Sequence, residues 1–145
     1  MTTEEIVNRL REYFEEREEV VAAYLFGSVA EGRAGKLSDI DVGILVEESL
    51  IRPVRYGYRA NVLTDLMGRL HTNEVDLVVL NKASPLLAHE VIRPGHVIFC
   101  RNPDRRVAFE TASFRKYVDT KPLRQIQAQY LDRRIAEGKF GLPGE

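Results

Sequence analysis

Ile6, Leu10 and Phe14 recur every four residues along an otherwise polar segment, and Thr2 stands three residues before Glu5 as in a capping box. The spacing predicts a short amphipathic helix ending near Arg17. Val20 to Phe26 and Ile40 to Val46 are apolar, β-rich runs, so they predict two strands joined by the loop Gly27 to Asp39, which also contains Gly32 and Gly35. Pro53 suits the first turn of a helix that continues through Leu63, Leu66, Met67 and Leu70, and Glu74 to Leu80 reads as a third strand. Ser84-Pro85 and Asn102-Pro103 are helix starts flanking a short strand, Val97 to Cys100. A last helix is expected from Pro122 to about Glu137, followed by a flexible tail rich in Gly and Pro, 138–145. The order is α, β, β, α, β, α, β, α before that last helix, with no internal repeat and no linker, which gives one domain over 1–137.

Composition narrows the function classes. The chain has 145 residues, 44% hydrophobic and 30% charged, with 21 basic against 22 acidic side chains and a net charge of -1. That content excludes a disordered chain, and the balanced charge excludes a global field for holding nucleic acid, so direct nucleic-acid binding is not expected. Cys100 is the single cysteine; it can form neither an internal disulfide nor a thiolate cage, and a reducing, cytoplasmic location follows as the expectation. No apolar run reaches the roughly 18 residues of a membrane span, and acidic Glu4 and Glu5 stand where a signal peptide carries positive charge, so neither membrane association nor export is expected. The charge is uneven, however: 1–19 carry seven Glu against three Arg, whereas 101–139 carry ten basic residues against five acids. The basic end is a solvated helix face or a docking surface, and composition does not choose.

Candidate chemistry concentrates between Gly27 and Val42. Asp39 and Asp41 lie two apart at the start of a strand, so both carboxylates point to one face while Ile40 and Val42 point to the other. Like charges held so close call for a neutralising partner, and a hard divalent cation such as magnesium takes carboxylate oxygens together with water and phosphate. Asp76 sits at the mouth of the next strand, and it joins the cluster if that strand pairs beside the second. Three carboxylates can seat two cations, the arrangement that clamps the attacking and leaving oxygens of a displacement at phosphorus. Gly27-Ser28 supplies a close backbone approach and a hydroxyl for a leaving polyphosphate.

The strings Gly27-Ser28-x-Ala30-x-Gly32 and Ser38-Asp39-Ile40-Asp41-Val42, followed by the lone Asp76, resemble the signature of the DNA polymerase β-type nucleotidyltransferases, most closely the minimal single-domain branch. The resemblance covers roughly residues 20 to 80. It implies an α/β (α+β) nucleotidyltransferase fold, a small mixed sheet with the aspartates on one edge of a cleft and helices against its other side. It also implies that Asp39 and Asp41 bind two Mg2+ ions, that Asp76 completes the site and helps to activate the attacking hydroxyl, that Gly27 and Ser28 bind the triphosphate of ATP, and that Ser38 supports their loop. Arg106-Val107-Ala108-Phe109-Glu110 and Tyr117-Val118-Asp119-Thr120-Lys121-Pro122 are similar to the C-terminal segment of MntA-type antitoxins. That second resemblance implies a HEPN-domain RNase toxin as partner and transfer of AMP from ATP to a tyrosine of that toxin. Phe109, Tyr117 and Val118 also read as core positions of a C-terminal helix.

Competing motifs are weaker. Gly35-Lys36 is followed by Leu37 where a P-loop needs Ser or Thr. His89-Glu90 has Arg93 where a zinc protease needs its second His, and His71, His89 and His96 are scattered. Cys100, at the end of an apolar run, reads as a buried residue and not a nucleophile. Two other functions stay open at this level: transfer to a small hydroxyl compound, as in aminoglycoside nucleotidyltransferases, for which 145 residues leave little room, and an antitoxin that acts by binding alone.

Overall fold

The computed structural model describes residues 1–27 and 39–136, with side chains described as far as residue 120. Ser28, Ser38 and the expected tail 138–145 lie outside the described residues. Helix α1 spans Thr3–Glu15, and Thr2 Oγ1 caps it by accepting from the Glu5 amide at 3.1 Å. Its other end carries no basic residue of its own; the Arg101 guanidinium reaches back and donates to the carbonyls of Phe14 and Glu15. Strands β1 (Val20–Phe26), β2 (Ile40–Val46), β3 (Val75–Val79) and β4 (His96–Cys100) form one sheet in the order β3-β2-β1-β4. The β1–β2 and β1–β4 pairs are antiparallel and β2–β3 is parallel, so the sheet is mixed, as expected.

Alternation along the strands separates two cores. Ile40, Val42, Ile44 and Val46 of β2 face α1 and helix α2 (Tyr58–Leu70), meeting Leu10, Phe14, Val62 and Leu66. Leu45 of β2 and Tyr24 of β1 face the opposite way, toward helix α3 (Pro85–Ile92) with Ala88 and Val91 and toward Phe109 of helix α4 (Pro103–Ala136). Helices therefore cover both faces of the sheet, where a single covered side was expected. The local reason is Gly43: a Cβ there would stand 2.6 Å from Val91 Cγ1, so only a bare backbone lets α3 sit down on this face. Tyr24 fastens α4 to the same face by donating to Glu110 at 2.6 Å, and Arg106 donates to the same carboxylate at 2.9 Å.

Three local expectations are corrected. The helix expected from Pro53 begins at Tyr58, because Val54 to Gly57 close a turn, with the Gly57 amide donating to Val54, and Tyr56 and Gly57 both take positive φ. The chain turns before it coils. The two C-terminal helices expected around Pro122 are one helix of 34 residues; proline removes a single intrahelical donor and does not end it. Val118 is exposed, not core, whereas Phe109 packs partly buried against the second core. The expected Ser84 and Asn102 caps are both present, accepting from the amides of Leu87 and Arg105. Cys100 is half-buried.

The start of α2 is fixed by a polar cluster at the foot of β1. Glu19, 8% exposed, accepts from Tyr58 at 2.6 Å and from Arg17 at 2.9 Å, and Arg17 also donates to Asn61. This cluster sets the N-terminal turn of α2 against the sheet, which places Arg59.

Candidate active site

The parallel register pairs Asp41 with Asp76, and the antiparallel register pairs Asp41 with Phe26. Phe26, Asp41 and Asp76 thus form one row across three adjacent strands, spaced by about 4.8 Å per strand. Asp39, two residues before Asp41, shares its face by the strand alternation, and this is the face that α3 and α4 cover beyond the row. The condition set by the sequence, that the third strand pair beside the second, is met. Gly27 follows Phe26 directly and turns with φ +74°, and a Cβ on it would fall on Asp41 Oδ2. The Gly27 backbone therefore closes against the central carboxylate, and any side chain there would displace it.

Electrostatics follow the geometry. The Asp41 carboxyl is half-buried and its pKa is raised, first by burial and then by the negative charges of Asp76 and Asp39. Asp76 is more open and is already met by a cation of the chain itself: Arg59 Nη2 stands 3.3 Å from Asp76 Oδ1 while Arg59 Nε donates to the Leu77 carbonyl at 2.9 Å. Asp76 Oδ1 also accepts from the Leu77 amide. Among the described residues no group of three or more His, Cys, Asp or Glu side chains is gathered closely enough to hold a metal ion as it stands. The donor set nonetheless fits a hard cation: oxygen-only ligands on one face, with a central carboxyl whose charged form is held back by burial and by its acidic neighbours.

Arg59 is the residue that sequence reasoning missed. Its partners lie 17 and 18 residues away and meet it only through the packing of α2 on β3, so no local signal marks it. Gly43 was equally silent. Of the expected site residues, the fold gathers Gly27, Asp39, Asp41 and Asp76; Ser28 and Ser38 lie outside the described residues. His71, His89 and His96 fall on different elements, at the end of α2, in α3 and in β4. The ring of His89 stacks on Tyr117 at 3.7 Å. No described helix is long and apolar enough to cross a membrane.

Comparison with known proteins agrees with this fold. Protein adenylyltransferase MntA of Shewanella oneidensis is 28% identical over 99 residues, which is 68% of this chain and 68% of that protein. Among solved structures, a toxin-antitoxin with AMP-PNP has the same fold at a TM-score of 0.70 and 24% identity, over 90% of this chain and 98% of that one. A complex of tri-AMPylated Shewanella oneidensis HEPN toxin with MNT antitoxin gives a TM-score of 0.68 at 21% identity, again over 90% of this chain and 98% of that one. The family described as polymerase beta, nucleotidyltransferase matches residues 8–104, a span that holds all four strands of the sheet, Gly27 and the three aspartates. The chain belongs to the polymerase beta nucleotidyltransferase family.

Proposed function

We propose that this chain is a metal-dependent protein adenylyltransferase and antitoxin, which transfers AMP from ATP to a tyrosine of a cognate HEPN-domain toxin in the cytoplasm and so silences it. The single observation that carries the reading is the row Asp41–Asp76 with Asp39 on the same face and the Gly27 backbone closed against Asp41. The likeness to an adenylyltransferase and to toxin–antitoxin structures supports the protein acceptor and the nucleotide.

In this mechanism Asp39 and Asp41, joined by Asp76, would hold two Mg2+ ions, which when bound would screen the phosphates and stabilise charge on the entering and leaving oxygens. Gly27 and Ser28 hold the β- and γ-phosphates at the end of β1. The tyrosine oxygen attacks the α-phosphorus, the bond from that phosphorus to the bridging oxygen breaks, and pyrophosphate departs. Asp76 takes the phenolic proton. Arg59, beside Asp76, stabilises negative charge developing on the phenolic oxygen as the proton leaves.

The test is intact mass of both chains after incubation with labelled ATP, Mg2+ and the HEPN-domain partner, with an Asp39→Asn/Asp41→Asn double variant in parallel. One or more AMP units on the partner, absent with the variant, is the expected result. An unmodified partner that is nonetheless silenced in a stable complex overturns the transferase reading in favour of binding alone.

A further inference from the structure

Resting on that reading of the site, we infer that the groove along the outer edge of β3 receives the acceptor, and that its walls select a tyrosine-bearing segment of a protein over a cationic polyhydroxyl compound. Displacement at phosphorus places the attacking and leaving oxygens on opposite sides of the phosphorus. The strand order β3-β2-β1 sets Asp76, Asp41 and Gly27 in sequence across the sheet. With the leaving phosphates at the Gly27 end, the attacking oxygen enters from the β3 end, past Asp76.

A groove of about 540 Å³ opens at that end, and Asp76 is part of its wall. It is continuous with the site. Ile51, Val79, Ala83 and Leu87 make the rest of its walls largely apolar, and Arg59 and Lys82 supply positive charge opposite the carboxylates of Asp76 and Glu48. Such walls match a phenol ring, whose flat apolar body is buried while its hydroxyl reaches a polar partner. An aminoglycoside, cationic and hydroxylated on every side, would lose water against these apolar walls without recovering its hydrogen bonds. Lys82 pairs with Glu48 only at 3.7 Å and is 80% exposed, so it remains available to an acidic residue of the entering segment.

The segment is held by side chains and not by strand addition. The outward carbonyl of Leu77 is already taken by Arg59 and its amide by Asp76, so β3 offers no open row of backbone groups. Arg59 thereby has two tasks, blocking edge pairing and keeping a positive charge where the phenol arrives.

Leu87→Glu tests the groove from an exposed position on α3, 38% accessible, where the substitution leaves the core intact. With the HEPN-domain partner as acceptor, the variant is expected to raise the KM for the partner at least tenfold while the KM for ATP stays within twofold; Leu87→Met restores the wild-type value. A photoreactive leucine analogue at position 87 is expected to cross-link within a few residues of the modified tyrosine. If the wild type transfers AMP and Leu87→Glu leaves the partner KM unchanged, or raises both KM values alike, or if the cross-link maps far from the modified tyrosine, the groove assignment is overturned and the transferase reading stands. A wild-type chain that modifies no partner overturns the transferase reading itself.

Discussion

Replacing Gly27 by alanine sets a methyl group on Asp41 Oδ2, and Gly57→Ala provides a matched control. Both glycines take positive φ, +74° and +88°, so both alanines carry backbone strain, about 1–3 kcal/mol of stability each. They differ in what the new Cβ meets: at Gly27 it falls on the central carboxylate, and at Gly57 nothing lies within 4 Å. To reach ordinary van der Waals separation the Asp41 carboxylate has to retreat by about 1 Å or more. A displacement of that size in a reacting constellation costs on the order of a hundredfold in rate, equivalent to about 2.7 kcal/mol of barrier. Steady-state AMP transfer, measured beside thermal melts, separates the two effects. Gly27→Ala is expected to lose about a hundredfold in kcat, and Gly57→Ala to melt lower with kcat unchanged below its melting range. If Gly27→Ala keeps kcat within a few fold of wild type, the contact between the β1 turn and Asp41 is not part of the catalytic geometry and the argument from that contact fails.

Two further predictions concern the metal and the foot of the sheet. Mg2+ alone, without nucleotide, should raise the melting temperature of the wild type, by the equivalent of about 2.7 kcal/mol at a hundredfold excess over its dissociation constant. Asp41→Asn should lose that rise while melting no lower than wild type in metal-free buffer, since it removes the burial cost and the like-charge repulsion that raise the Asp41 carboxyl; a metal-free variant that melts well below wild type refutes the electrostatic account. Burial pushes the Glu19 carboxyl up, but the hydrogen bonds from Tyr58, its own backbone and Arg17 outweigh this and hold its pKa below the usual value. A folded-state pKa below the unfolded one, about 4.3, means stability present above that pH and lost as pH falls through the folded value. Glu19→Gln should therefore cost roughly 1–3 kcal/mol near neutrality, a gap that closes in denaturant melts as the pH falls below about 4.3.

Much of this protein is written locally in the chain. Strands β1 to β3 and the four described helices follow from periodicity and caps, because a helix or strand exposes one face at a fixed residue spacing. Asp39 and Asp41 were legible for the same reason: two positions apart on a strand is one face, whatever the strand packs against. The start of α2 was not, since Pro53 is locally compatible with a helix and only the turn through Tyr56 and Gly57 delays it to Tyr58. The run through Pro122 was missed because a proline usually ends a helix, and one lost donor among 34 residues does not end this one.

What the sequence by itself determined is the element order, the pair of carboxylates and the glycine at the end of β1. Tertiary structure alone decided that β2 and β3 run parallel in the register Asp41 to Asp76, that Gly27 closes on Asp41, and that Arg59 stands beside Asp76. Each of these joins residues 14 to 35 positions apart. Such contacts depend on which strands pair and in what register, and that is set by burying both faces of one sheet under four helices, a property of the whole chain that no local spacing encodes.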